Sequence, residues 1–492
     1  MSKPFSASGV DGLDEVLGGG YPRGQISLIR GASGAGKTTL SLQFLMAGAR
    51  QGERTLYLGT SETEDEIRKI AESHGWSLDG VAVHHHTGQE LGLQQTMIHP
   101  AEIELPQAME SMLSIVRQAT PDRVVIDSLA EIRVLTQDEF WYRRQLATLK
   151  RHFADNRCTV LVVELPSKDQ PTLDSILTSI VELTQTTPAY GPDRRRLRIA
   201  KVRGQDFAAG YHDYRIRRGG IDVFPRLTAA EHRQALSSEQ VSTGLPQLDA
   251  MLKGGLSRGT SILLLGPSGT GKSIIATQLA IAAAQRGERS AFYVFDERVH
   301  TLYQRAASIG LDLPAHVESG MILVQQIDPA ELTSGQFSHA IRELVEKKGM
   351  RLLVLDSLNG YAYAMPEERL LSVHLHELSS YLNQRAVTSI FSMTQHGLIS
   401  ENIEQPFDIS YVADTVLLFR HFEFAGQIHK AISVYKCRSG PHESTIRELQ
   451  ITANGVQVGK PLTQFQGILT GSPRFTGDRL DVHDRDDRSA IR

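Results

Sequence analysis

Residues Gly31-Ala-Ser-Gly-Ala-Gly-Lys37-Thr38 return as Gly266-Pro-Ser-Gly-Thr-Gly-Lys272-Ser273, both fitting the pattern GxxxxGK[ST]. The two lysines are 235 residues apart, and the flanks repeat at the same offset without a gap. Gly9, Leu13, Asp14, Leu17, Gly19 and Gly20 become Gly244, Leu248, Asp249, Leu252, Gly254 and Gly255, and Gly52-Glu-Arg54 becomes Gly287-Glu-Arg289. The chain is therefore one domain written twice, and any fold proposed for it must be able to close on itself within about half its length.

At 492 residues, two copies of roughly 230 residues each have ample length for a buried core. The expected organisation is a first domain over 1–232, a second over 233–460 and a charged, partly disordered tail over 461–492. The polar stretch Ala229–Ser238 is the expected linker. A net charge of -4 gives no general attraction to nucleic acid or anionic lipid. Cys158 and Cys437, one in each copy, are too few for a zinc site and fit a reducing, cytoplasmic setting. The N-terminus lacks an apolar leader, and no run approaches the length of a membrane span.

Short apolar runs alternate with helical patterns in each copy. Ile26–Ile29, Thr55–Leu58, Val124–Ile126 and Thr159–Val163 read as buried strands, and Thr39–Arg50 and Glu64–Ser73 as helices. Buried strands separated by helices imply an α/β fold, a mostly parallel sheet flanked by helices. Leu197–Phe224, with Gly219-Gly220 inside it, reads as an appended hairpin.

A loop of this pattern binds phosphate because successive backbone N–H groups point into one concavity at a helix start. The expected ATP contacts are Gly31, Ser33, Gly34, Ala35, Gly36, Lys37 and Thr38 in the first copy. Gly266, Ser268, Gly269, Thr270, Gly271, Lys272 and Ser273 match them in the second. Thr38 and Ser273 are expected to ligate Mg²⁺, helped by Asp127 and Asp356, each closing an apolar run. Hydrolysis also needs a group that orients the attacking water. Glu62 and, in the second copy, Glu297 with Asp296 before it follow a predicted strand at the right remove from the loop.

These residues resemble the KaiC family, double-domain ATPases of the RecA/DnaB type. The resemblance spans about residues 5–470 and rests on the paired loops together with Glu15-Val-Leu-Gly-Gly-Gly20, Asp127-Ser-Leu-Ala130, Tyr142-Arg-Arg-Gln145 and Ala431-Ile-Ser-Val-Tyr-Lys436. Gln326-Ile-Asp-Pro329 and Gly467-Ile-Leu-Thr-Gly471 add to it. It implies two tandem RecA-like P-loop NTPase domains, a hexameric ring, and ATP held between neighbouring subunits. Lys201 and Arg203, and Lys436 and Arg438 with His442, would then reach a neighbour's nucleotide; Phe207 replaces the histidine in the first copy. The family's paired glutamates read Ser61-Glu62 and Asp296-Glu297 here. Its Ser–Thr phosphorylation pair reads Ser410-Tyr411, which leaves Ser410 as the acceptor for a serine/threonine autokinase. Regulatory protein partners are implied without being identified.

His84-His-His86 and Arg194-Arg-Arg196 read as exposed loops, and Trp76 and Trp141 as packing residues. Two other functions stay open on the same fold. One is a DNA-dependent motor, against which the near-neutral charge and the lack of a four-cysteine module weigh. The other is a nucleotide-gated signalling scaffold with little turnover, which the altered glutamates favour.

Overall fold

The computed structural model describes residues 4–85, 101–129, 139–166, 171–188, 191–227, 239–328, 331–363, 371–395, 413–453, 455–469 and 473–476. Two compact units emerge, one mainly from residues 1–226 and one mainly from 227–492.

In the first unit β1 (Phe5–Ser6) pairs with β2 (Tyr21–Pro22) beside the main sheet. That sheet takes β3 (Ile26–Gly31), β4 (Thr55–Gly59), β5 (Val81–His85), β6 (Arg123–Asp127), β7 (Thr159–Glu164), β8 (Ser179–Thr186), β9 (Arg194–Val202), β10 (Tyr211–Arg217) and β11 (Gly220–Phe224). Their order is β11-β10-β9-β8-β3-β7-β6-β4-β5. From β8 to β5 every pairing is parallel; β9, β10 and β11 add antiparallel strands at one edge.

The second unit repeats this plan. β12 (Gln240–Val241) pairs with β13 (Leu256–Ser257), as β1 does with β2. Its main strands are β14 (Ser261–Gly266), β15 (Arg289–Val294), β16 (Ile322–Gln326), β17 (Met350–Asp356), β18 (Thr388–Thr394), β19 (Thr415–Phe424), β20 (Gln427–Cys437), β21 (Ile446–Thr452) and β22 (Gly455–Pro461). The order β16-β15-β17-β18-β14-β19-β20-β21-β22 is the first sheet read from its other edge. A small pair, β23 (Phe465–Gln466) and β24 (Arg474–Phe475), follows, and Phe465 and Phe475 pack with Phe424 around it.

The apolar runs explain the layers. In β3, Ile29 faces one core beneath the helix Lys37–Arg50, while Ile26 and Leu28 face a second core with Leu146, Leu149 and Phe153. Burying each such side chain contributes about 1.5–3 kcal/mol, and a sheet covered on both faces has no solvent face to break the run with polar residues. The helix Lys37–Arg50 is buried nearly all round, from Thr39 to Gly48, because it lies between the sheet and the segments that precede it.

The expected parallel α/β plan and the edge hairpin are both present. Two local readings are corrected. Arg194, Arg195 and Arg196 form the start of β9, whose pairing with β8 overrides the loop-like charge run. His84 and His85 lie in β5, paired with Leu58 and Gly59 and partly buried. Trp76 packs against the first core and stacks on His74 at 4.6 Å. The linker segment 228–238, Trp141's side chain and the last residues of the tail lie outside the described residues. No helix among the described residues is long and apolar enough to cross a membrane.

Candidate nucleotide sites

Each loop sits between the end of a central strand and a helix, at the carboxyl edge of the sheet. Gly36 and Gly271 take φ of 91° and 103°, a left-handed conformation that turns the chain into the helices Lys37–Arg50 and Lys272–Gln285. A Cβ at either would also meet an isoleucine, Ile216 Cδ1 or Ile451 Cδ1, at 2.6 Å. Neither helix start has a side-chain cap, so its first N–H groups are left for an anion. Tyr214 braces the first loop from beneath by donating its hydroxyl to the Ala35 carbonyl at 2.7 Å.

The lysines fold back onto their own loops. Lys37 Nζ donates to the Ala32 carbonyl at 2.9 Å, and Lys272 Nζ to those of Gly266 and Pro267, both at 2.7 Å. Burial pushes both ammonium groups down, that of Lys272 to about 8, while Asp127 and Asp356 respectively oppose the shift.

Sheet pairing brings the aspartates to the loops. β6 is separated from β3 by β7 alone, and β17 from β14 by β18. Asp127 Oδ2 accepts from Thr38 Oγ1 at 3.0 Å and from the Tyr57 hydroxyl at 2.8 Å. Burial still raises its pKa above the usual carboxylate range, against both hydrogen bonds. Asp356 Oδ1 accepts instead from Ser392, and its Oδ2 is buried without a hydrogen-bond partner. A buried acceptor left without a donor suits a cation or its coordinated water, and a loop hydroxyl beside a carboxylate is an oxygen donor set of the kind Mg²⁺ takes. The residues present therefore fit Mg²⁺. Asp127 and Asp356 are each followed by a cis peptide bond.

The acidic residues that follow β4 and β15 part company. Thr63 and Glu66 form a capping box, Thr63 N donating to Glu66 Oε2 at 2.8 Å, which fixes the turn carrying Glu62. Glu62 is half-buried, its Oε2 is buried without a partner, and burial followed by the Asp127 charge raises its pKa. In the second unit Arg298 stands at the cap position without a capping bond. Glu297 is gripped by Arg305 through two bonds of 2.7 and 2.6 Å, and Asp296 accepts from the Ser357 hydroxyl.

A cavity of about 310 Å³ joins these parts in the second unit, lined by Gly269, Gly271, Lys272, Ser273, Asp296, Glu297, Arg305, Asp356, Thr394 and Lys430 among others. Arg305 and Lys430 escaped the sequence reading because each is a lone cation on a helix or strand, with nothing local to mark it. In register Lys430 lies opposite His421, just past the loop end of β14. Arg195 holds the same register position in β9, opposite Gln185.

Lys436 does not join its own loop. It lies opposite Val416, level with Leu263, three residues short of Gly266, and donates to the Ala413 carbonyl at 2.9 Å. Lys201 likewise lies level with Leu28 and donates to the Asp174 carbonyl, with Arg203 donating to that of Ser175 at 2.9 Å. Arg438 and His442 follow Lys436 away from the cavity and are outside its wall. Ser410 lies outside the described residues.

A family model described as "ATPase: KaiC" matches residues 6–228 and again residues 241–463. The chain belongs to the KaiC family of ATPases. Among its relatives are circadian clock protein KaiC3 of Synechocystis sp. (strain ATCC 27184 / PCC 6803 / Kazusa), 26% identical over 95% of this chain and 94% of the relative. The circadian clock oscillator protein KaiC of Parathermosynechococcus lividus is 26% identical over 99% and 91%, and that of Parasynechococcus marenigrum 26% over 96% and 93%. Both KaiC matches contain a complete loop, its aspartate and its appended antiparallel strands.

Proposed function

We propose that this KaiC-family protein binds two Mg²⁺–ATP per chain, one at each loop, and hydrolyses ATP chiefly at the first. The observation that carries the reading is the convergence, in each unit, of the loop lysine, the loop hydroxyl and the strand-end aspartate. Mg²⁺ bound at Thr38 and Asp127, or Ser273 and Asp356, would neutralise charge developing on the γ-phosphate. The loop amides and Lys37 or Lys272 bind and orient the triphosphate, and Glu62 accepts a proton from, or orients, the attacking water. Lys201 and Arg203, and Lys436, Arg438 and His442, sit away from their own loops and would complete a neighbour's site in a homohexameric ring. In the second unit, ATP held by the neighbour would also serve transfer to Ser410.

The test is a time course with γ-labelled ATP that follows released phosphate and protein-bound label together, with Lys37→Ala, Lys272→Ala and Ser410→Ala alongside. Phosphate release that Lys37→Ala removes supports hydrolysis at the first loop, and label that Ser410→Ala removes supports the autokinase. The grip of Arg305 on Glu297 favours a second reading for the second unit alone: a nucleotide-gated scaffold that binds ATP with little turnover. Binding at Lys272 without release or label would establish it.

A further inference from the structure

Glu297 and Arg305 form a two-pronged ion pair in the wall of the second nucleotide cavity. Arg305 stands on the helix Val299–Ser308, and the matching helix of the first unit, Glu64–Ser73, runs at the same offset with Ile70 in its place. Glu62 Oε2 thus has no partner in the first unit, while both oxygens of Glu297 are held in the second, where Arg305 replaces Ile70.

A carboxylate that orients or deprotonates water must offer that water a lone pair. Each oxygen of Glu297 already gives one of its two lone pairs to a charge-assisted bond from a planar fork that matches it, and that fork fixes where the remaining pair points. Glu62 has no such partner on its Oε2.

We propose that Arg305 is a positioning residue that withholds Glu297 from the reacting water, so that turnover at the second site waits on release of its guanidinium. The inference rests on the reading of Glu297 as the second site's water-orienting carboxylate. An anionic triphosphate in the cavity offers Arg305 a competing acceptor, but the fork keeps the pair mostly closed at full occupancy, so release limits kcat. The pair is also partly solvated, with side-chain exposures of 31% and 20%, so dissolved salt weakens it.

The experiment uses the full chain carrying Lys37→Ala, so that turnover reports the second loop, and measures kcat at saturating ATP from low to high chloride. Arg305→Gln in that background should raise kcat about tenfold, equivalent to ~1.4 kcal/mol. Salt should accelerate the parent, and this acceleration should vanish in the variant. Arg305→Lys, which keeps the charge and loses the fork, should fall between. The double variant with Glu297→Gln should be no faster than Glu297→Gln alone. A purely structural cap would change unfolding and leave the salt profile of kcat as it was, and that result overturns the proposal. So does a slower Arg305→Gln enzyme. If Glu297→Gln leaves kcat unchanged, the fault lies instead with the reading of Glu297. Should Arg305→Gln fail to fold, a parent kcat indifferent to chloride overturns the proposal without it.

Discussion

The Tyr57 hydroxyl donates to Asp127 Oδ2 at 2.8 Å from β4, on one side of β6. In the second unit the matching position is Phe292, which has no hydroxyl, and Ser392 of β18 donates to Asp356 from the other side of β17. The position that matches Ser392 is Val163, opposite Asp127 in the pairing of β6 with β7. A carboxylate buried to this depth needs donors, and beyond the bond from Thr38 in the first unit, each unit supplies one hydroxyl from a neighbouring strand, on opposite sides.

The exchange can be tested by moving the donor. Tyr57→Phe should destabilise the first unit by about 1–2 kcal/mol, since Asp127 keeps only Thr38. Adding Val163→Ser should recover at least half of that loss. Urea unfolding followed by a probe in the first unit reads both, and a double variant no more stable than Tyr57→Phe would refute compensation.

Glu62→Gln, in a Lys272→Ala background, should lower hydrolysis on the order of 10²-fold. ATP affinity should stay within a few-fold, because the phosphates are held by the loop. Burial and Asp127 raise the Glu62 pKa, and a base works only when ionised. The rising limb of the pH–rate profile should therefore lie above the usual carboxylate range and should be missing in the variant. Steady-state phosphate release across pH checks both points.

Lys272 sets a different pH dependence. Burial lowers its pKa from 10.5 to about 8, so between these values the folded chain has lost a proton that the unfolded chain keeps. Free of nucleotide, the second unit should gain stability as pH rises through that window. Phosphate binding needs the ammonium, so ATP affinity should weaken by up to about tenfold per pH unit above 8. Equilibrium binding to the Lys37→Ala protein from pH 7 to 9.5 should show the fall.

Gly36→Ala should abolish binding at the first loop and Gly271→Ala at the second. Each replacement meets left-handed strain of about 1–2 kcal/mol as well as contact with Ile216 or Ile451. Nucleotide stoichiometry should drop from two per chain to one in either variant, with the other loop unaffected.

The parallel sheets, the loops and the strand-end aspartates were legible because each is written locally: an apolar run, a fixed spacing, a glycine where the backbone turns. Tyr57, Ser392, Arg305 and Lys430 were not, because what places them is pairing between strands far apart in the chain, or a helix turn whose partner lies eight residues back. Arg194–Arg196 misled for the opposite reason. Three successive cations resemble a solvated loop, yet β8 offers a complete ladder of partners along that segment, and backbone pairing outweighs local charge.

The opposite placement of the two hydroxyl donors also bears on inheritance. A recombination event between the halves that crossed over after β4 and before β7 would join Tyr57 to the serine of β18, or the phenylalanine of β15 to Val163. One product would give its aspartate a donor from each neighbouring strand, which a carboxylate can accept, and the other would leave it with neither. Sequence exchange between the repeats is thereby penalised, and halves born identical are kept free to drift towards separate duties.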